Sequence, residues 1–138
     1  MAVRSFIDTN ILVYAEASDD PDKQRAALAL LKHLFESATG VLSTQVLKEY
    51  CNVALKKLKL PPEHIWAQLD LYELFEIVQV TPAIIRSGLQ LHQTRSLAFY
   101  DALVLASAQA AGCSVLYTED MNTNEVVGSV RIVNPLLP

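Results

Sequence analysis

Short apolar runs alternate with stretches of helical periodicity along this chain, and turn residues separate them. Residues 3–7 read as a buried strand, after which Thr9 or Asn10 can cap a helix through Ile11, Leu12 and Tyr14. Asp19, Asp20, Pro21 and Asp22 mark a turn and a helix start, and Ala26, Leu30, Leu31 and Leu34 give that helix its apolar face, with Gly40 closing it. Residues 41–43 form a brief strand. Ser43 or Thr44 then caps a helix with an apolar stripe of Val46, Leu47, Val53, Ala54 and Leu58. Pro61 and Pro62 interrupt the chain, Pro62 at the start of a helix carrying Ile65, Leu69, Tyr72 and Leu74. Residues 75–80 read as a buried strand, and Thr81 before Pro82 opens a helix with Ile85, Leu89 and His92. A further helix covers about 98–111 and ends at Gly112, a strand follows at 114–117, and residues 130–133 add an edge strand before Pro135. Such alternation, without linker or repeat, predicts an α/β fold: three α/β/α layers around a mainly parallel sheet, residues 1–138 forming one domain.

Composition adjusts this picture in three places. The chain has 138 residues, enough for a substantial core without disulfides, and its two cysteines, Cys51 and Cys113, lack partners at zinc-ligand spacing and read as reduced, buried thiols. A hydrophobic share of 51% and a mean hydropathy of +0.25 leave apolar surface for a partner. The longest weakly polar stretch, residues 102–112, is too short to span a membrane, and the apolar run near the N-terminus meets Asp8 too soon for a signal peptide, so the expected location is cytoplasmic. A net charge of −4 argues against broad adhesion to nucleic acid, although acids gathered around divalent cations would themselves attract phosphate.

Four acids carry the candidate chemistry: Asp8 in FIDTN, Glu49 in STQVLKEY, Asp101 in AFYDALVLASA and Asp120 in LYTEDMN. Asp8 and Asp120 follow strand-like runs, while Glu49 and Asp101 sit in helical patterns, so a parallel sheet can bring all four to the edge where open α/β sheets place their sites. Singly, each also reads as a cap, a solvated helix residue or a loop start. Brought to about 5 Å, each ionised pair repels by roughly 3 kcal/mol at an effective dielectric near 20. Such a cluster needs cations or protons, and an oxygen-only donor set selects Mg²⁺ or Mn²⁺ over Zn²⁺.

With FIDTNILVY at the start, STQVLKEYCNVALKKL in the middle, AFYDALVLASAQAAGCSVLYTEDM late and a closing IVNP, the whole chain resembles PIN-domain nucleases, most closely the VapC-type toxins of bacterial toxin–antitoxin pairs. The resemblance implies that Asp8, Glu49, Asp101 and Asp120 bind the catalytic metal, with Thr9, Asn10 and Thr118 as supporting polar groups. Asn122 and Asn124 stand where many relatives carry a further acid, so a second metal is in question and Asn124 is at most a neutral ligand. The implied activity is a Mg²⁺- or Mn²⁺-dependent endoribonuclease hydrolysing RNA through an activated water, with a small antitoxin as partner. A housekeeping RNA-processing nuclease and a catalytically silent binding module on the same fold are the alternatives. A receiver domain fails for want of a phosphoacceptor acid within residues 77–82, and a haloacid-dehalogenase-type phosphatase fails because Asp8, Thr9 and Asn10 lack a second carboxylate.

Other groups read more simply. His33, His64 and His92 are scattered over three helices in surface or packing roles. Lys56, Lys57 and Lys59 form a basic helix end whose ordinary role is a solvated face complementing the helix dipole, RNA contact being the second reading. Arg86 is similar, whereas Arg95 precedes the helix of Asp101 and is a candidate RNA contact. Phe99 and Tyr100 read as core or rim. Trp66, Leu69, Tyr72 and Phe75 recur at helical spacing, either as core or as a homodimer or antitoxin contact.

Overall fold

The computed structural model describes residues 3–138, with six strands in one sheet and six helices around it. The strands are β1 (Ser5–Ile7), β2 (Gly40–Ser43), β3 (Glu76–Val78), β4 (Val115–Tyr117), β5 (Val126–Val127) and β6 (Val130–Val133). The helices are α1 (Thr9–Glu16), α2 (Pro21–Ser37), α3 (Thr44–Lys56), α4 (Pro62–Tyr72), α5 (Pro82–Arg95) and α6 (Phe99–Ala110). Sheet order is β3-β2-β1-β4-β6-β5, parallel throughout except where β5 pairs antiparallel with β6. The chain steps outward from β1 to β2 to β3 and then returns past β1 to β4. With right-handed crossovers, that reversal places α5 and α6 on the face opposite α1 to α4. The direction change falls between β1 and β4, the position at which such sheets open a crevice.

Phe6, Ile7, Leu42, Leu116 and Ile132 from the central strands join Ile11, Leu12, Val46, Tyr50 and Leu105 from the helices in one buried core. A smaller cluster of Ile84, Leu103 and Ala106 seals α5 to α6. There Gly88 is required by close approach, since a Cβ at this position would lie 3.1 Å from Leu103 Cα.

Several local expectations shift. Asp8 itself, not Thr9 or Asn10, caps α1, because its carboxylate accepts the Thr9 N–H. α2 ends at Ser37 with Ala38 left-handed (φ 57°) as its cap. Gly40 does not close α2; it begins β2, where a Cβ would lie 2.6 Å from the Phe75 ring. Leu58 lies beyond α3. The strand expected at 75–80 shrinks to β3, a half-exposed edge. Residues 130–133 are not at the edge, because the unforeseen β5 folds back through Gly128 (φ 62°) and covers them. On α5 the buried positions are Ile84 and Gly88, while Ile85 and Leu89 face outward.

α4 is attached unusually. It buries only Ile65 and Tyr72 and leaves Trp66 69% exposed. Its polar fastening is the Glu16 carboxylate at the end of α1, which accepts the Tyr72 hydroxyl at 3.1 Å and lies 2.7 Å from His64 Nε2. Tyr50 of α3 packs edge-on against Tyr72, with centroids 5.1 Å apart.

Candidate metal centre and its groove

Asp8, Asp101 and Asp120 converge although 112 residues separate the first from the last in sequence; one oxygen from each lies within 4.8 Å of the others. Asp8 is delivered by the end of β1, and Asp120 by the loop after the adjacent β4. Asp101 stands in the first turn of α6, where the helix dipole favours a carboxylate and no side chain caps the end.

The surrounding hydrogen bonds fix these groups. Thr9 N–H donates to Asp8 Oδ1 at 2.7 Å, and the buried Thr118 hydroxyl donates to Oδ2 at 2.8 Å. Thr118 Oγ1 also accepts the Asp120 N–H (3.1 Å) and the Asn10 amide (3.3 Å). Asn10 donates again to Asp120 Oδ2 at 2.9 Å. Glu49 stands beside the three aspartates as a fourth wall: Thr9 Oγ1 donates to its Oε1 at 2.9 Å, with the Gln45 amide 3.5 Å away. The expected quartet is thus three close carboxylates and one tethered neighbour.

The electrostatics follow from burial. Desolvation pushes the Asp8 pKa from 3.8 up to about 7; hydrogen bonds from Thr118 and Thr9 oppose the rise, while the charges of Asp120 and Glu49 add to it. Asp101 is raised as well, chiefly by burial and then by Asp120 and Glu49. Among the described residues no ion pair reaches the three aspartates. Crowded carboxylates without a protein counter-charge, offering oxygen ligands only, fit Mg²⁺ or Mn²⁺.

A groove of about 750 Å³ opens from the cluster and runs between α1 and α3. Its acid end carries Asp8, Glu49, Asp101 and Asp120, with Tyr100 on the rim, and its far end is lined by Val13, Ala17, Val53, Leu58 and Leu60.

Other candidate residues lie apart. Arg95 does not line the groove and faces Glu125 at 3.9 Å. Asn124 also lies outside the lining: it holds a left-handed turn (φ 70°) from which its N–H reaches the Ile132 carbonyl. The sequence reading overlooked Gln45, which is 8% exposed and donates to the Tyr100 carbonyl at 3.3 Å. Its signal was a position one helical turn before Glu49. It also overlooked Glu16, a carboxylate without an evident partner in sequence.

A family model of the PIN domain matches residues 5–128. No curated protein is significantly similar in sequence. Among solved structures, a toxin–antitoxin complex from Klebsiella pneumoniae superposes with a TM-score of 0.64 at 24% identity, covering 95% of this chain and 97% of that one. VapC20 of Mycobacterium tuberculosis, a toxin that cleaves the sarcin–ricin loop, gives 0.66 at 18% identity over 84% and 91%. DNA-bound VapBC from Salmonella typhimurium gives 0.67 at 17% over 95% and 97%. At these identities the likeness is one of fold.

Proposed function

The chain belongs to the PIN-domain family, and from that premise we propose that it is a single-domain Mg²⁺- or Mn²⁺-dependent endoribonuclease, the toxin of a toxin–antitoxin pair acting in the cytoplasm. The observation that carries the reading is the convergence of Asp8, Asp101 and Asp120 at the switch point of the sheet. These three would hold the cation, with Glu49 beside them. When bound, the cation supplies charge neutralisation at the scissile phosphate and lowers the pKa of the attacking water.

The chain's own residues do the rest. Thr118 and the Thr9 N–H hold both oxygens of Asp8 in place, so the carboxylate need not reorganise when substrate arrives. Asn10 fixes Asp120, and Thr9 engages Glu49 through Oε1, which leaves Oε2 as the acceptor for the water's proton. A water nucleophile spares the ribose 2′-hydroxyl, so the products carry 5′-phosphate and 3′-hydroxyl ends.

Partner surfaces support the toxin assignment. Trp66, Leu71 and Leu74 are exposed on or beside α4, whereas Tyr72, from the same stripe, is core. This face suits a second copy of the chain or an antitoxin, whose C-terminal segment would cover the groove.

The test is incubation of partner-free protein with total RNA and Mg²⁺ or Mn²⁺, followed by mapping of the new ends, with Asp101→Asn and EDTA as controls. Asp101 makes no hydrogen bond to other side chains among the described residues, so the variant keeps its fold. Metal-dependent cuts lost in the variant support the proposal. Mainly 2′,3′-cyclic phosphate ends, or cleavage indifferent to EDTA, would sink it.

A further inference from the structure

The far end of the groove has a chemistry the metal centre does not use. Gln45, Glu49, Val53 and Lys57 recur every four residues along α3 and its C-cap, and all four line the groove. At about 1.5 Å per residue, this stripe runs about 12 Å from Gln45 past Glu49 to Val53, and Lys57 stands about 12 Å beyond Glu49. Lys57 is the one cation among the described lining residues, and it makes no ion pair among those residues. Between it and the metal-site carboxylates lie the aliphatic side chains of Val13, Ala17, Val53 and Leu60; of the acids beside Ala17, Glu16 is engaged by Tyr72 and His64, and Asp19 also lines the groove.

The geometry points to Lys57 as a substrate-positioning residue: it holds a backbone phosphate about two nucleotides from the scissile one, while the intervening base rests on the aliphatic floor. This rests on the nuclease reading above and deepens it. The charges argue for a strand lying in this direction. An RNA crossing the acid end meets Asp8, Glu49, Asp101 and Asp120, which only a bound cation offsets, and Glu119, which Lys23 pairs. Away from the cation each further phosphate needs its own positive partner, and the groove offers one. The volume argues for an unpaired strand, since about 750 Å³ is the scale of a small-molecule pocket, about 300–1,000 Å³, and is too small to enclose a duplex. These four aliphatic side chains have no hydrogen-bonding groups, so a base resting on them is accepted without its identity being read. Lys56 and Lys59 share the basic helix end but do not line the groove, and this separates a site from a diffuse field.

The experiment measures cleavage of an RNA with a mapped cut site across a salt series, using the wild type, Lys57→Ala, Lys57→Arg, Lys56→Ala and Lys59→Ala. Lys57 is exposed, so its removal leaves the fold intact. Lys57→Ala is expected to raise KM about five- to tenfold at low salt, leave kcat within about twofold, and flatten the slope of log KM against log salt by about 0.7, the value for one single-strand phosphate contact. Lys57→Arg restores most of the slope, and the two neighbouring variants keep it. A methylphosphonate at the linkage about two nucleotides from the cut raises KM for the wild type but not for Lys57→Ala. Equal flattening by Lys56→Ala and Lys57→Ala overturns the inference in favour of a diffuse field. An unchanged KM in Lys57→Ala overturns it in favour of a solvated or protein-facing lysine. A wild type that cuts no RNA with either metal overturns the nuclease reading and this inference together, whereas active enzyme with indifferent lysines overturns the inference alone.

Discussion

Removing the charge of Asp8 should make the metal-free protein more stable at neutral pH, although it destroys the site. In the unfolded chain this carboxyl loses its proton near 3.8, whereas the folded protein holds it until about 7. Between those values the folded state binds more protons, so metal-free stability falls as pH rises through this window. The interval of about 3 pH units, at about 1.4 kcal/mol each, amounts to roughly 4 kcal/mol, a large share of a domain stability of about 5–15 kcal/mol. Asp8→Asn keeps an oxygen for the Thr9 N–H, and Asn is as good a helix cap as Asp. In EDTA at pH 8 the variant should therefore exceed the wild type by about 2–4 kcal/mol, or roughly 10 °C in Tm. The difference should vanish below pH 4, where both side chains are neutral. Excess Mg²⁺ at pH 8 should stabilise the wild type and leave the variant unmoved. Paired thermal and urea melts at pH 4 and pH 8, with and without metal, provide the assay. A variant less stable than the wild type at pH 8 in EDTA would refute the claim that burial, and not the hydrogen bonds from Thr9 and Thr118, dominates this carboxyl.

Three further outcomes follow from the same structure. Thr118→Val removes the donor to Asp8 and the acceptor for Asp120 N–H, so stability should fall by about 1–3 kcal/mol and metal affinity by about tenfold, read by calorimetric titration. Glu16→Gln should cost about 1–2 kcal/mol and quicken hydrogen exchange at Ile65 and Tyr72 before the sheet amides change; uniform quickening across the chain would show that α4 is not separately fastened. Gly88→Val pushes against Leu103 and should cost about 1–3 kcal/mol while weakening metal binding through displacement of Asp101; stability lost without any change in metal affinity would show that α6 does not carry the strain to the site.

Much of the fold was legible because local signals agreed with global ones. Thr81–Pro82 placed the start of α5, Pro62 that of α4 and Ser43 that of α3, and each does so in the structure. The misplaced elements are those whose geometry depends on distant residues. Gly40 looked like a helix terminator, but the Phe75 ring is what demands its missing Cβ. β5 has only two residues and no periodicity to detect, so the true edge of the sheet escaped. Within the groove, Asp8, Asp101 and Asp120 could be named from their strand and helix settings, yet their approach to within 4.8 Å of one another could not, because it depends on the alignment of β4 with β1. Glu16 was invisible for a related reason: its partners Tyr72 and His64 lie 56 and 48 residues away in sequence.

The order of the strands also has a meaning in time. β1 emerges first during synthesis, but its partner β4, which brings Thr118 and Asp120 to Asp8, is the fourth strand made, and β6 must still follow to cover its open side. Until then Asp8 lacks both its hydroxyl donor Thr118 and its neighbour Asp120, and a nascent chain broken off before residue 118 has no complete carboxylate cluster. The topology therefore withholds the assembled carboxylate cluster until the fourth of the six strands has been made.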